Sequence, residues 1–238
     1  SPIAVRRFFP VIRGAANAMC DHWEPACRDG EVFDIAEEME RITLQIAGRA
    51  LFHDGFDQES EKIGHWTHTI NRYSARPPTP ISGKLWFPSP INFRLKRTLR
   101  QFHAFLHEMI ANRRSGKQHD DLLSILLSAR HEESGEPMTD DEIAEEVLGM
   151  IIGGHETSSA ALTWIWYELH QHPDVLEKLH EEIGEVIGDR QMELDDFPKL
   201  TYAKMVIEET LRLHPPFWFE NRNAKVDVEL GGEIVPRG

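Results

Sequence analysis

Apolar residues return every three to four positions along most of this chain, and the spans over which they do so mark its helices. The longest span runs from Thr139 to His170, with apolar or small residues at Ile143, Val147, Met150, Gly154, Ala161 and Ile165 before His172-Pro173 ends the pattern. Thr139 followed three residues later by Glu142 is a capping box, in which a hydroxyl and a carboxylate satisfy amides left over at a helix start. At 1.5 Å per residue the span covers about 48 Å, enough to cross a domain. Similar spacing predicts helices over 2–28, 33–51, 58–75, 92–114, 120–130, 173–188 and 202–213. Their expected inward positions include Ile35, Met39, Ile42, Ile46 and Ala50, then Phe93, Leu95, Leu99, Phe102, Phe105, Leu106 and Met109, and later Leu176, Leu179, Ile183 and Ile187.

Two stretches break this rhythm. Arg76-Pro77-Pro78-Thr79-Pro80 forbids helix, and the connection that follows carries Leu85, Trp86 and Phe87 between prolines. An apolar loop tip of this kind fits a lid over an apolar pocket or a patch packed on the body. Near the C-terminus, Val226, Val228 and Leu230, then Gly231-Gly232, then Ile234 and Val235 follow the period of a two-residue β-hairpin. The chain is therefore read as a mainly α fold, one domain over 1–238, with a small C-terminal hairpin.

Composition narrows the function classes. The 238 residues are 40% hydrophobic, enough for a sizeable core, and carry 40 acidic against 26 basic side chains for a formal charge of −14. That balance excludes a nucleic-acid or anionic-membrane surface, which needs clustered Lys and Arg. Cys20 and Cys27, both in the first helix, make no disulfide framework. The window 147–167 is nearly uncharged, yet His155, Glu156 and its Gly, Ser and Thr residues predict a buried helix rather than a membrane span. No secretory segment leads the chain, and a cytoplasmic location is expected. His103 and His107 have a chelating spacing without a third ligand, and a single Glu177-x-x-His180 falls short of a di-iron set.

The candidate chemistry lies inside the longest helix. Gly153-Gly154-His155-Glu156-Thr157-Ser158 places two glycines in a helix interior, at roughly 1 kcal/mol each relative to alanine, followed by polar residues. Glycines bare the backbone to another body, and Thr157 can return its hydroxyl to the Gly153 carbonyl four residues earlier. A ligand groove and a close helix–helix contact both account for such a notch. Further on, Glu209 and Arg212 stand at i and i+3 on one helix face and can pair.

GGHETS in a long helix, then EETLRLHPP, then an arginine and a short hairpin, together resemble the cytochrome P-450 haem-thiolate monooxygenases. The resemblance implies a partial P-450 fold. It makes Gly153 and Gly154 the small pair beside the haem, Glu156 and Thr157 the acid–threonine pair of proton delivery, and Arg222 a donor to a haem propionate. Glu209 and Arg212 match the Glu-x-x-Arg motif behind the haem, and the connection bearing Trp86 and Phe87 falls where the substrate pocket is roofed. His155 falls at a variable position and takes no role. Ser158 stands where a second threonine is common. The resemblance also implies haem b, O2, an apolar small-molecule substrate and a ferredoxin or flavin reductase as electron donor.

The family's cysteine loop lies beyond the hairpin and is absent from these residues, as are the N-terminal helices, so an internal piece truncated at both ends is expected. It would be inactive alone, with no metal ligand of its own. The competing expectation is a non-catalytic helical remnant serving as an interaction or scaffold domain.

Overall fold

The computed structural model describes residues 2–52, 59–74, 86–116, 121–218 and 222–238. The proline run at 76–80, Leu85 and the residues 219–221 lie outside the described residues.

Helix α6 (Asp140–Gln171) is the axis. Its start is fixed by the capping box: Glu142 N donates to Thr139 Oγ1 at 3.3 Å and Thr139 N to Glu142 Oε2 at 2.7 Å. The stripe it buries runs through Ile143, Ala144, Val147, Ile151, His155 and Ser159, a strict i, i+4 row beyond Val147. This differs from the expected row, which ran through Gly154. Each i, i+4 step turns the buried row by about 40°, so by His155 it has drifted off the line of Val147, and Gly154, seven residues after Val147 on that line, is left exposed.

Four helices cover that stripe. Helix α2 (Ile35–Phe52) lies along α6 in the most extensive helix contact among the described residues. Helices α3 (Ser60–Ser74), α4 (Pro90–Ser115) and α5 (Leu122–Ser128) close the core, in which Leu44, Ile63, Phe102, Leu106, Ile110 and Leu123 are 1% exposed or less. Each side chain buried this way contributes roughly 1.5–3 kcal/mol. Ser89 caps α4 just ahead of Pro90, a first-turn proline whose missing N–H is no loss there. Asp121 caps α5 by accepting from Ser124 N at 2.9 Å, and Arg113 of α4 pairs with the same carboxylate while reaching the Phe52 carbonyl and Ser124 Oγ at 3.3 Å. One buried ion pair thus ties the ends of α2, α4 and α5 together.

Helix α1 (Pro2–Asp29) packs on α2 through Ala15, Met39 and Ile42, and Trp23 Nε1 donates to Glu38 Oε2 at 2.7 Å. Beyond α6 the packing thins. Helix α7 (Pro173–Val186) buries no residue, so the expected inward set Leu176, Leu179, Ile183 and Ile187 is not sealed; Ile183 is 36% exposed. Helix α8 (Thr201–Leu213) buries only Thr210. Its start has no cap of its own, and Glu182 of α7 supplies one, accepting from Tyr202 N at 2.6 Å and Ala203 N at 2.8 Å. Phe93, expected inside, is 64% exposed because the buried row of α4 runs through Leu95, Phe102, Leu106 and Ile110. Strands β1 (Val228–Leu230) and β2 (Glu233–Val235) pair antiparallel, Val228 opposite Val235, around Gly231 and Gly232 at φ +61° and +88°, the left-handed region a two-residue hairpin turn requires. No helix among the described residues is long and apolar enough to cross a membrane.

Candidate functional site: the notch on α6

Gly153 and Gly154 both lie on the outer face of α6, and a Cβ added at either would meet nothing within 4 Å. Among the described residues the glycines therefore serve no helix–helix contact. Beside them Thr157 Oγ1 donates to the Gly153 carbonyl at 3.1 Å, and Ser158 Oγ to that of Gly154 at 3.5 Å. Such back-bonds compete with the helix ladder and favour a bend. The outcome is an exposed strip of backbone edged by two hydroxyls.

Glu156, in the same turn, is half-buried. Burial, and then the nearby Glu40 carboxylate of α2, push its carboxyl up to about 7. A carboxyl so placed keeps its proton near neutrality and is able to donate it, which an ordinary surface glutamate is not. Its neighbour His155 is 1% exposed, with Nδ1 2.6 Å from the Ile151 carbonyl. Because a carbonyl only accepts, Nδ1 carries the ring proton, and His155 completes the buried stripe.

The remaining candidates lie elsewhere. On α8, Arg212 Nε and Nη2 donate to the two Glu209 oxygens at 2.8 and 2.6 Å, a two-pronged pair on an exposed face that holds the Glu209 carboxyl below the usual range. Helix α8 is brought to α6 by His214, whose ring stacks on Trp164 at 3.9 Å and whose Nε2 lies 2.7 Å from Glu168 Oε1. Glu168, Tyr202, Met205, Glu209 and Leu213 then line a cavity of about 320 Å³ between the two helices. Arg222 lies exposed in the segment leading to the hairpin. Trp86, 73% exposed, and half-buried Phe87 stand edge to face at 6.4 Å where the chain enters α4. Glu156 and Thr157 thus share one turn with the glycines, whereas Glu209, Arg212, Arg222, Trp86 and Phe87 belong to other parts of the molecule.

Sequence reading missed Glu40 and the Trp164–His214–Glu168 contact, since both pair residues on separate helices and no periodicity records that. No group of three His, Cys, Asp or Glu among the described residues is arranged to hold a metal ion, and Cys20 and Cys27 are exposed on α1.

The cytochrome P450 family profile matches residues 1–238. Cyclooctat-9-en-7-ol 5-monooxygenase of Streptomyces melanosporofaciens is 35% identical over 239 residues, covering 98% of this chain and 51% of that protein. Pentalenene oxygenase of Streptomyces avermitilis is 31% identical over 236 residues, with the same coverages. The chain spans about half the length of these curated relatives. Among solved structures, retinoic acid bound cyanobacterial CYP120A1 superposes with a TM-score of 0.80 at 23% identity, over 100% of this chain and 52% of that one, which is a likeness of fold. A glycine notch on the longest helix, a Glu-x-x-Arg pair two helices later, and a family profile that runs the whole length make this chain a member of the cytochrome P450 family.

Proposed function

We propose that this chain forms the distal half of a haem-dependent monooxygenase site, which inserts one oxygen atom from O2 into an apolar organic substrate with electrons from a ferredoxin or flavin reductase. The observation that carries the reading is the juxtaposition on one turn of a bare backbone strip, Gly153-Gly154, a hydroxyl at its edge, Thr157, held on the Gly153 carbonyl, and a carboxyl that keeps its proton to about pH 7, Glu156. The open strip fits a flat macrocycle lying against α6, because no side chain stands in the way. Haem b, when bound through a cysteine outside these 238 residues, supplies O2 activation and the redox chemistry.

The chain's own residues do the rest. Gly153 and Gly154 leave room close to the helix backbone for a small ligand. Thr157 already donates its hydroxyl proton to the Gly153 carbonyl, so its oxygen lone pairs face outward and can accept a further proton donor. Glu156 is the nearby source of that proton. Arg222 is assigned to a haem propionate, where a guanidinium gives a charge-assisted contact. Glu209 and Arg212 brace the region behind the haem. Trp86 and Phe87 are assigned to the roof of the substrate pocket. Two relatives are named for oxygenating pentalenene and cyclooctat-9-en-7-ol, which supports a carbon-rich substrate.

The test uses the complete protein that contains this chain. Reduced and exposed to carbon monoxide, it is expected to give a thiolate-type Soret shift; a protein that binds no haem overturns the reading. With that spectrum preserved, Glu156→Gln is expected to lower product formation by about 10²-fold, the ordinary contribution of a positioned general acid. An unchanged rate would remove Glu156 from the mechanism.

A further inference from the structure

Helix α8 carries the Glu209–Arg212 pair but buries only Thr210, so its own packing fixes it weakly against α6. Its two ends hold it. At the start Glu182 of α7 accepts from Thr201 Oγ1 at 3.1 Å as well as from the Tyr202 and Ala203 amides. At the end stands His214, the C-cap residue, whose N–H donates to the Thr210 carbonyl at 2.8 Å. Pro215 follows, and the residue before a proline is steered out of the helical region, so the chain turns there and the His214 ring reaches from α8 to α6.

On α6, Trp164 and Glu168 stand four residues apart on one face. The His214 ring lies on the Trp164 indole with 3.9 Å between centroids and 2° between planes, and its Nε2 is 2.7 Å from Glu168 Oε1. A carboxylate only accepts, so Nε2 carries a proton, and the ring is held in two directions at once, flat on the indole and edge-on to the carboxylate. Tyr167 meets the same indole edge to face at 5.5 Å. The other Glu168 oxygen lies 3.6 Å from Nε2 of His172, the residue between α6 and α7. Glu168 and Glu209 line the same cavity, yet each has its own donor, His214 for the first and Arg212 for the second.

We propose that His214 is a positioning residue for the Glu209–Arg212 pair: clamped on Trp164 and hydrogen-bonded to Glu168, it sets the end of α8 against α6 and so fixes where Arg212, two residues earlier, stands. The inference rests on the monooxygenase reading above, which places that pair behind the haem, and adds to it the joint that aims the pair. Glu209 and Arg212 are bonded to each other on an exposed face, which fixes them relative to one another and not relative to α6. The clamp supplies that second constraint. Trp164 lies seven residues, about two turns, beyond Thr157, so the notch and the clamp are carried by one helix and the pair is aligned to the same rod as the glycines.

The test uses the complete, haem-loaded protein and reads haem release, as decay of its Soret band with an apo-globin in excess as acceptor, beside hydrogen exchange of the α8 amides. His214→Ala is expected to speed both by about 10-fold or more, the scale of one lost hydrogen bond to a charged group. His214→Gln, which keeps a side-chain N–H donor, should recover most of the loss in both. In an Arg212→Lys background, where the two-pronged bond is already gone, His214→Ala should add roughly threefold at most to haem release, because the histidine acts through Arg212. If His214→Ala does not fold, the same comparison is made with His214→Phe, which keeps a flat ring for Trp164 and removes the donor. Haem release or α8 exchange that ignores His214, or a full 10-fold addition in the Arg212→Lys background, overturns this inference and leaves the monooxygenase reading intact; a parent protein that binds no haem overturns the reading on which it rests.

Discussion

Glu156 gives up part of its hydration on entering the space beside α2, and the Glu40 carboxylate adds to the penalty, so the folded state prefers it protonated. The unfolded chain has no such preference. The folding contribution of this group is therefore fully present below the ordinary glutamate range and is lost as pH rises toward about 7. Asp121 has the opposite sign: burial alone would raise it, but hydrogen bonds from Arg113 and Ser124 overcome burial and hold its carboxyl below the usual range. Its contribution is present above that range and is lost on acidification through the lowered value. Chemical denaturation across pH should show stability falling between about pH 5 and 7, and Glu156→Gln should flatten that fall while leaving the acid limb unchanged. A parent slope that survives the substitution would assign the fall to another group. The identity of Glu156 was legible in the sequence, because glycines and an acid–threonine pair are conspicuous inside an apolar helix. Its altered acidity was not, because Glu40 lies 116 positions earlier in the chain and only folding brings the two helices side by side.

At the scale of elements, the helices were readable where capping and periodicity agreed. The Thr139–Glu142 box, the Pro90 and Pro173 starts and the Gly231-Gly232 turn each fix a boundary by local chemistry alone. Inward faces were less readable. Phe93 and the apolar side of α7 follow a core-facing spacing yet remain largely exposed, since a hydrophobic stripe is buried only if some other element covers it. The junction of α2, α4 and α5 depends on something periodicity cannot report, the buried pair of Arg113 and Asp121, whose side chains are 9% and 3% exposed. Asp121→Asn keeps a residue able to cap α5 but deprives the guanidinium of its carboxylate. It should cost about 3–5 kcal/mol in urea unfolding, whereas the cap-only change Thr139→Ala should cost about 1 kcal/mol. Equal losses from the two would mean that the ion pair contributes no more than a cap.

Across the whole molecule the packing is uneven. Helices α2 to α5 share one sealed core with the first half of α6, while α7 is tied to α8 through Glu182 and α8 to the second half of α6 through His214 and Trp164, with a single buried residue in α7 and α8 together. Native-state hydrogen exchange should therefore fall into two tiers. Amides of α2, α4 and the first half of α6 should exchange slowest, and those of α7 and α8 about 10²-fold faster or more. Uniform protection across the eight α-helices of the described residues would mean that α7 and α8 belong to the same cooperative unit as the core. The general fold class was legible from composition and period, but this division was not, because the α7 and α8 sequences are as amphipathic as those of the core helices.

The open strip at Gly153 and Gly154 sets two selective pressures against each other. Replacing either glycine by alanine meets nothing within 4 Å in this chain and relieves the helix of roughly 1 kcal/mol, so a library chosen for folding alone would drift toward larger residues there. A library chosen for holding a flat ligand against the helix would discard those same variants. Stability at this turn is thus kept below what the sequence could reach, and the shortfall measures what the molecule forgoes to leave a vacant wall in the middle of its longest helix.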